Sequence, residues 1–118
     1  MEKEMEKGKE YYNNGNLKFE GEYLYDKKIK GKEYYNEGNL KFEGEYLNGK
    51  RNGKGKEYDY NGNVRFISEY VNGKKYGKGK EYAYDNTLIF EGEYKYGKRN
   101  GKGKEYYDNG QIKFEENI

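Results

Sequence analysis

The amino-acid sequence predicts an all-β protein: a single elongated, twisted antiparallel sheet of about ten strands, laid down as a meander of hairpins. Three observations carry this. Gly-Lys-Glu-Tyr recurs from Gly8, Gly31, Gly55, Gly79 and Gly103, a period of 23 and then 24 residues. A short period of this kind means stacked units, each covering its apolar face with its neighbours. Within a unit, apolar and charged residues alternate: Leu40, Phe42, Gly44 and Tyr46 interleave with Lys41, Glu43 and Glu45. That period of two marks a strand with one covered face. Third, none of the 118 residues is proline, so nothing interrupts a ladder.

In chain order, residues 1–7 read as a charged lead-in, too short to hold a helix without tertiary contacts and expected to be frayed or one turn docked on the first strand. The array occupies 8–118, in units 8–30, 31–54, 55–78, 79–102 and a shortened, capping 103–118. In the second unit Gly31 to Tyr35 form a first strand, Asn36 to Asn39 a turn, and Leu40 to Leu47 a second strand. The same alternation returns from Leu17 to Tyr23, Val64 to Tyr70, Leu88 to Tyr94 and, shortened, from Ile112. Asn14-Gly15, Asn61-Gly62 and Asn109-Gly110 supply the positive φ of tight hairpin turns. The fourth unit has Asp85-Asn86-Thr87 there and no Gly, which predicts a looser turn. Longer loops are expected between hairpins, at Asn48 to Gly53, Asn72 to Gly77 and Tyr96 to Gly101. Gly21, Gly44 and Gly92 fall between Phe and Tyr on the aromatic face, leaving room for a ring from the neighbouring strand. Ser68 takes that place in the third unit and Glu116 in the last, where a charge blunts an open edge and the array is expected to end.

Composition narrows the function classes. Charged residues are 39% and hydrophobic ones 31%, a disorder-prone balance offset by 17 Tyr and 5 Phe at recurring positions. A tyrosine buries its ring and keeps its hydroxyl wet, so a thin sheet without a deep core is the expectation. The 24 basic and 22 acidic residues leave a net charge of +2, so no nucleic acid is expected as a partner. Without Cys there is neither a disulfide framework nor a thiolate metal site. No apolar run reaches the about 20 residues of a membrane span, and the first seven residues are too polar for a signal peptide. The expected location is cytoplasmic, with a peripheral place at a membrane as the alternative.

An enzyme is not expected, and no catalytic, metal or cofactor-binding residue is assigned. The usual general base and the best nucleophile, His and Cys, are both absent. Glu20/Glu22, Glu43/Glu45 and Glu91/Glu93 would sit about 6–7 Å apart on one strand face, a spacing that suits glycoside hydrolysis. A catalytic pair is singular, however, and this one is repeated, so these are read as partners for Lys on adjacent strands. The Asx-rich turns are read as turn chemistry, not as calcium ligands. No small-molecule substrate is expected.

Two surfaces remain. Basic residues crowd the inter-hairpin segments, giving a candidate anionic-lipid ridge of Lys27, Lys28, Lys50, Arg51, Lys54, Lys74, Lys75, Lys78, Lys98, Arg99 and Lys102. Each such charge near an acidic leaflet is worth about 1 kcal/mol, while the plainer reading is solvated turns that resist edge aggregation. The candidate protein-binding aromatic face is Tyr34, Phe42, Tyr46, Tyr58, Phe66, Tyr70, Tyr82, Phe90 and Tyr94. Its rings either pack on one another or form a docking groove for a protein partner or a second copy.

The recurring residues resemble the MORN repeat family, whose pattern is aromatic-x-Gly-x-aromatic-x-x-Gly-x-x-x-Gly-x-Gly. Phe42, Gly44, Tyr46, Gly49, Gly53 and Gly55 follow it, as do Phe90, Gly92, Tyr94, Gly97, Gly101 and Gly103. Phe66, Tyr70, Gly73, Gly77 and Gly79 depart from it only at Ser68. The first copy keeps Phe19, Gly21 and Tyr23, but has Asp26 near the turn glycine and is one residue short before Gly31. Asn52, Tyr76 and Asn100 replace the family's characteristic His, and the chain is also similar to the bacterial antitoxin-type variant of the repeat. The resemblance implies tandem β-hairpins and a non-catalytic scaffold that contacts a protein partner or its own second copy. The alternative it implies is an adaptor for anionic phospholipid. A carbohydrate-binding module ranks lower, because cell-wall repeats of that kind stack sugars on Trp, and there is none here.

Overall fold

The structure, a computed structural model, describes residues 4–117. Among them, ten strands form one antiparallel sheet in sequence order and no helix is present. The strands are β1 (Glu6–Tyr11), β2 (Leu17–Leu24), β3 (Lys27–Tyr34), β4 (Leu40–Leu47), β5 (Lys50–Tyr58), β6 (Val64–Val71), β7 (Lys74–Tyr82), β8 (Leu88–Lys95), β9 (Lys98–Tyr106) and β10 (Ile112–Asn117). The described residues span 51 × 33 × 19 Å, close to the length that ten strands at about 4.8 Å spacing require. The strands begin earlier than the sequence suggests. Glu6 and Lys7, read as lead-in, pair with Tyr23 and Glu22, while Met1, Glu2 and Lys3 lie outside the described residues.

The expected long loops are strand. Only two residues stand between β4 and β5, Asn48-Gly49, and both have positive φ, 51° and 80°. Asn72-Gly73 and Tyr96-Gly97 repeat this geometry, and Tyr25-Asp26 does so without a glycine. Such turns twist in the sense of the strands they join. The glycines at 53, 77 and 101 are not loop residues but bulges within β5, β7 and β9, with φ of 96°, 92° and 86°. The first unit, one residue shorter, accommodates its register shift beside Tyr23 with Ile29 and needs no such glycine. The turn expected to be looser is not. Ala83 N–H donates to Thr87 and Asn86 N–H to Ala83, as Tyr35 does to Asn39 and Gly38 to Tyr35. Asn86 adopts φ 71° in the glycine's place, a conformation Asn tolerates.

Register sorts the side chains into rows that run across the sheet. Glu10, Phe19, Glu33, Phe42, Glu57, Phe66, Glu81, Phe90 and Glu105 stand opposite one another in succession. Beside them runs a spine of Gly8, Gly21, Gly31, Gly44, Gly55, Ser68, Gly79, Gly92 and Gly103. The spine is bare because phenylalanine rings lie on it. A Cβ on Gly55 would come within 2.5 Å of Phe42, and one on Gly44 within 2.9 Å of the same ring. The ring is therefore the strand's own as seen from Gly44, and the neighbour's only as seen from Gly55. Phe19, Phe42 and Phe90 are thereby fully buried in a sheet with no second layer. Phe66, beside Ser68, is only half-buried, since a side chain occupies the spine there.

Candidate functional site

The aromatic face is closed by its own charges. Arg51 lies 4.1 Å from the centre of the Phe42 ring, and Lys28, Lys75 and Arg99 lie 4.3, 4.0 and 4.2 Å from Phe19, Phe66 and Phe90. A cation over a ring face is attracted by its quadrupole while its stem covers apolar surface. Tyr46 and Tyr70 meet Phe42 edge-on, with centroids 5.9 and 5.3 Å away. Their hydroxyls donate to Glu33 and Glu57, at 2.7 and 2.6 Å. Arg51 Nε and Nη2 donate to the two oxygens of Glu33, at 3.0 and 3.1 Å, and Arg51 also reaches Glu57. Burial pushes the Glu33 carboxyl up, but the bonds from Arg51 and Tyr46 outweigh it and hold the group below its ordinary range. Burial, with the Glu33 bond, raises the Tyr46 hydroxyl well above the usual phenol value.

Two of the proposed surfaces must therefore be redrawn. Of the candidate aromatic face, Phe42, Tyr46, Tyr70, Phe90 and Tyr94 are buried inside this roofed layer, and Phe66 is half-buried. Tyr34 and Tyr58 stand on the opposite face, where their hydroxyls donate to Glu20 and Glu43, and Tyr82 holds the equivalent place. The reason is that each follows a Glu of the phenylalanine row and so points the other way. The basic ridge divides for the same reason. Lys28, Arg51, Lys75 and Arg99 are ring caps paired with Glu10, Glu33 and Glu57, Glu57, and Glu81 and Glu105 respectively. Lys27, Lys50, Lys74 and Lys98 remain exposed next to the two-residue turns. Lys54, Lys78 and Lys102 point to the other face.

That other face, which sequence reasoning did not single out, is concave. A groove of about 1160 Å³ runs across β4 to β10, and a second of about 740 Å³ continues it over β1 to β3. Two rows of charge line it. One reads Lys9, Glu20, Lys32, Glu43, Lys56, Ile67, Lys80, Glu91, Lys104 and Glu115 across successive strands. The other contains Lys7, Glu22, Lys30 and Glu45, then Lys54 with Glu69 and Lys78 with Glu93. Opposite charges thus alternate from strand to strand along the groove, which sets the paired glutamates opposite lysines of the adjacent strands. The two groups that one strand presents, such as Lys7 and Lys9 or Glu20 and Glu22, carry the same sign. Among the described residues, ion pairs within 4.0 Å consume the ring-capping cations, whereas on the grooved face only Lys104 makes one, with Glu115 at 3.8 Å. The other lysines of this face are left to solvent or to a partner, while Glu20, Glu43 and Glu91 accept hydrogen bonds from tyrosines. No group of metal-ligating side chains occurs among the described residues.

A meander of near-identical hairpins, with one sealed face and one charged concave face, is the architecture of a tandem β-hairpin repeat protein and is consistent with a repeat scaffold. The sequence profile of the MORN repeat matches residues 42–64, 66–87 and 90–112, and that of the MORN repeat variant matches 7–25 and 29–48. The chain belongs to the MORN repeat family, whose members are generally non-catalytic. No curated protein matches it in sequence.

Proposed function

We propose that this chain is a non-catalytic scaffold that binds a protein partner in the charged groove, not on the aromatic face. The observation that carries this is the contrast in pairing: the ring-capping cations of the outer face are consumed by glutamates, whereas among the described lysines of the groove only Lys104 is, by Glu115. Alternating charge disfavours a uniform polyanion and favours a partner with its own alternating pattern, because like charges placed opposite are costly. Affinity capture from a lysate, with the unaltered chain and with Lys54→Ser, Lys78→Ser and Lys102→Ser combined, tests the reading. We expect a protein that is retained by the first, released by salt and lost with the second. Capture that survives the triple substitution, or no captured protein, overturns it. A second copy of the chain counts as such a partner, and sedimentation of the purified protein covers that case.

A second reading has its own observation. The turn edge beside Lys50 and Lys74 exposes Leu47 and Val71, which are 57% and 49% accessible and pair directly with those lysines. Tyr96, 67% accessible, projects beside Lys98. Aliphatic and aromatic tips flanked by Lys suit the surface of an anionic bilayer. Sedimentation with phosphatidylserine-containing and with pure phosphatidylcholine vesicles checks this. Salt-sensitive binding to the first only, lost with Leu47→Ser and Val71→Ser combined, is the expected result. Equal binding to both, or none, removes the reading.

A further inference from the structure

The alternation in the groove fails at one place. Every other lysine of the first row that lies between two strands has a glutamate on each side: Lys32 has Glu20 and Glu43, Lys104 has Glu91 and Glu115. Lys56 and Lys80 face Glu43 and Glu91 on their outer sides, but between them stands Ile67, the direct partner of both. The loss extends to a third group. Tyr34, Tyr58 and Tyr106 each donate a hydroxyl hydrogen bond to Glu20, Glu43 and Glu91. Tyr82 holds the same place in its unit, and its counterpart to those glutamates is Ile67. By register, two lysines and a tyrosine therefore flank a position where the array elsewhere supplies a carboxylate. The strand spacing sets the two lysine Cα atoms about 10 Å apart, so both side chains can reach one oxygen pair between them. Ile67 itself lies in the groove wall, half-buried, and adds an apolar contact.

We infer that Lys56, Lys80 and the Tyr82 hydroxyl form a notch that receives a carboxylate side chain of the bound partner, with an adjoining apolar residue resting on Ile67. The partner's acid completes the row: it accepts from Tyr82 as Glu20, Glu43 and Glu91 accept from their tyrosines, and it sits between two lysines as they do. A carboxylate fits here better than a phosphate, because Glu43 and Glu91 flank the notch and repel a multiply charged group. The inference rests on the reading of the groove as the binding surface, and it names the chemistry of that surface's anchor.

The test is a nuclear magnetic resonance titration of the full chain with acetyl-Gly-Gly-Glu-Leu-Gly-Gly-amide and its Gln counterpart. The Glu peptide is expected to shift the signals of Ile67, Lys56, Lys80 and Tyr82, and the Gln peptide to bind at least about tenfold more weakly. Ile67→Glu restores the pattern of the other units, so it is expected to fold, and it should weaken the Glu peptide by about tenfold or more because the notch is filled. Equal response to both peptides, or unchanged binding in Ile67→Glu, overturns the notch. A third arm uses isovalerate: a response to it with none to the Glu peptide makes the position a small-carboxylate site and overturns the peptide assignment. If a lysate partner is lost with the Lys54, Lys78 and Lys102 substitutions but kept by Ile67→Glu, the notch fails while the groove stands. If neither peptide nor lysate protein binds, both fail.

Discussion

Gly44→Ala is expected to destabilise the fold by about 3 kcal/mol, the upper end of what overpacking costs. The added Cβ would come within 2.5 Å of the Lys54 carbonyl oxygen and 2.8 Å of the Gly55 Cα, both backbone atoms of the adjoining strand, as well as 2.9 Å from Phe42. A side chain could rotate away; a paired strand cannot without breaking its ladder. Gly49 is the control. It lies in a turn at φ +80°, with nothing within 4 Å of its added Cβ, so Gly49→Asn is expected to cost at most about 1 kcal/mol. Chemical denaturation of the two variants checks the pair. Equal losses would mean that close packing is not what keeps the spine bare.

Raising the pH above about 10 is expected to unfold the protein in one step. Seven tyrosines donate to glutamates: Tyr23, Tyr34, Tyr46, Tyr58, Tyr70, Tyr94 and Tyr106. Burial, then the bond to the carboxylate, raises Tyr34 and Tyr58 to about 12. For Tyr106 the bond to Glu91 leads and burial follows, again to about 12. An unfolded tyrosine ionises near pH 10, so the folded chain holds its protons longer than the unfolded one. The stability these bonds contribute is complete below about pH 10 and is lost as pH rises toward about 12. Phenolate absorbance and far-ultraviolet circular dichroism, followed together, should therefore change at the same pH. Phenolate formation that runs to completion with the dichroism intact would show that the tyrosine–glutamate bonds are not what holds the sheet.

The hairpins and their order were legible because they rest on alternation and on a period, both visible in a string of letters. The faces were harder. The segments around Gly53, Gly77 and Gly101 look like loops because they are rich in glycine and lysine, yet they are strand with a bulge. Once they are extended, Lys50 and Arg51 must point opposite ways, and a single ridge cannot survive. Tyr58 reads as a companion of Phe42 on one face, although Glu57, its neighbour, is the residue opposite that ring. The sequence does carry the missing signal. A cation follows each of the first four phenylalanines by nine positions, at Lys28, Arg51, Lys75 and Arg99, and Tyr23, Tyr46, Tyr70 and Tyr94 each follow their glutamate by 13. Spacings that repeat with the unit mark contacts across strands. The groove left no such trace, because curvature is a property of the sheet and not of any residue.

The order of strands has a further consequence. Each strand hydrogen-bonds through its backbone only to the one before it and the one after. Among the described residues, side chains reach no further than the next strand but one, as Arg51 of β5 does to Glu33 of β3. No contact therefore spans the array, and its length is a free quantity. One more unit inserted at any hairpin would lengthen the groove by about 10 Å, two strand spacings, and leave the contacts away from the insertion as they were. Duplication and deletion of a single unit thus act on this protein as marks on a ruler: they set how far apart two points along its surface stand, without asking the rest of the chain to change.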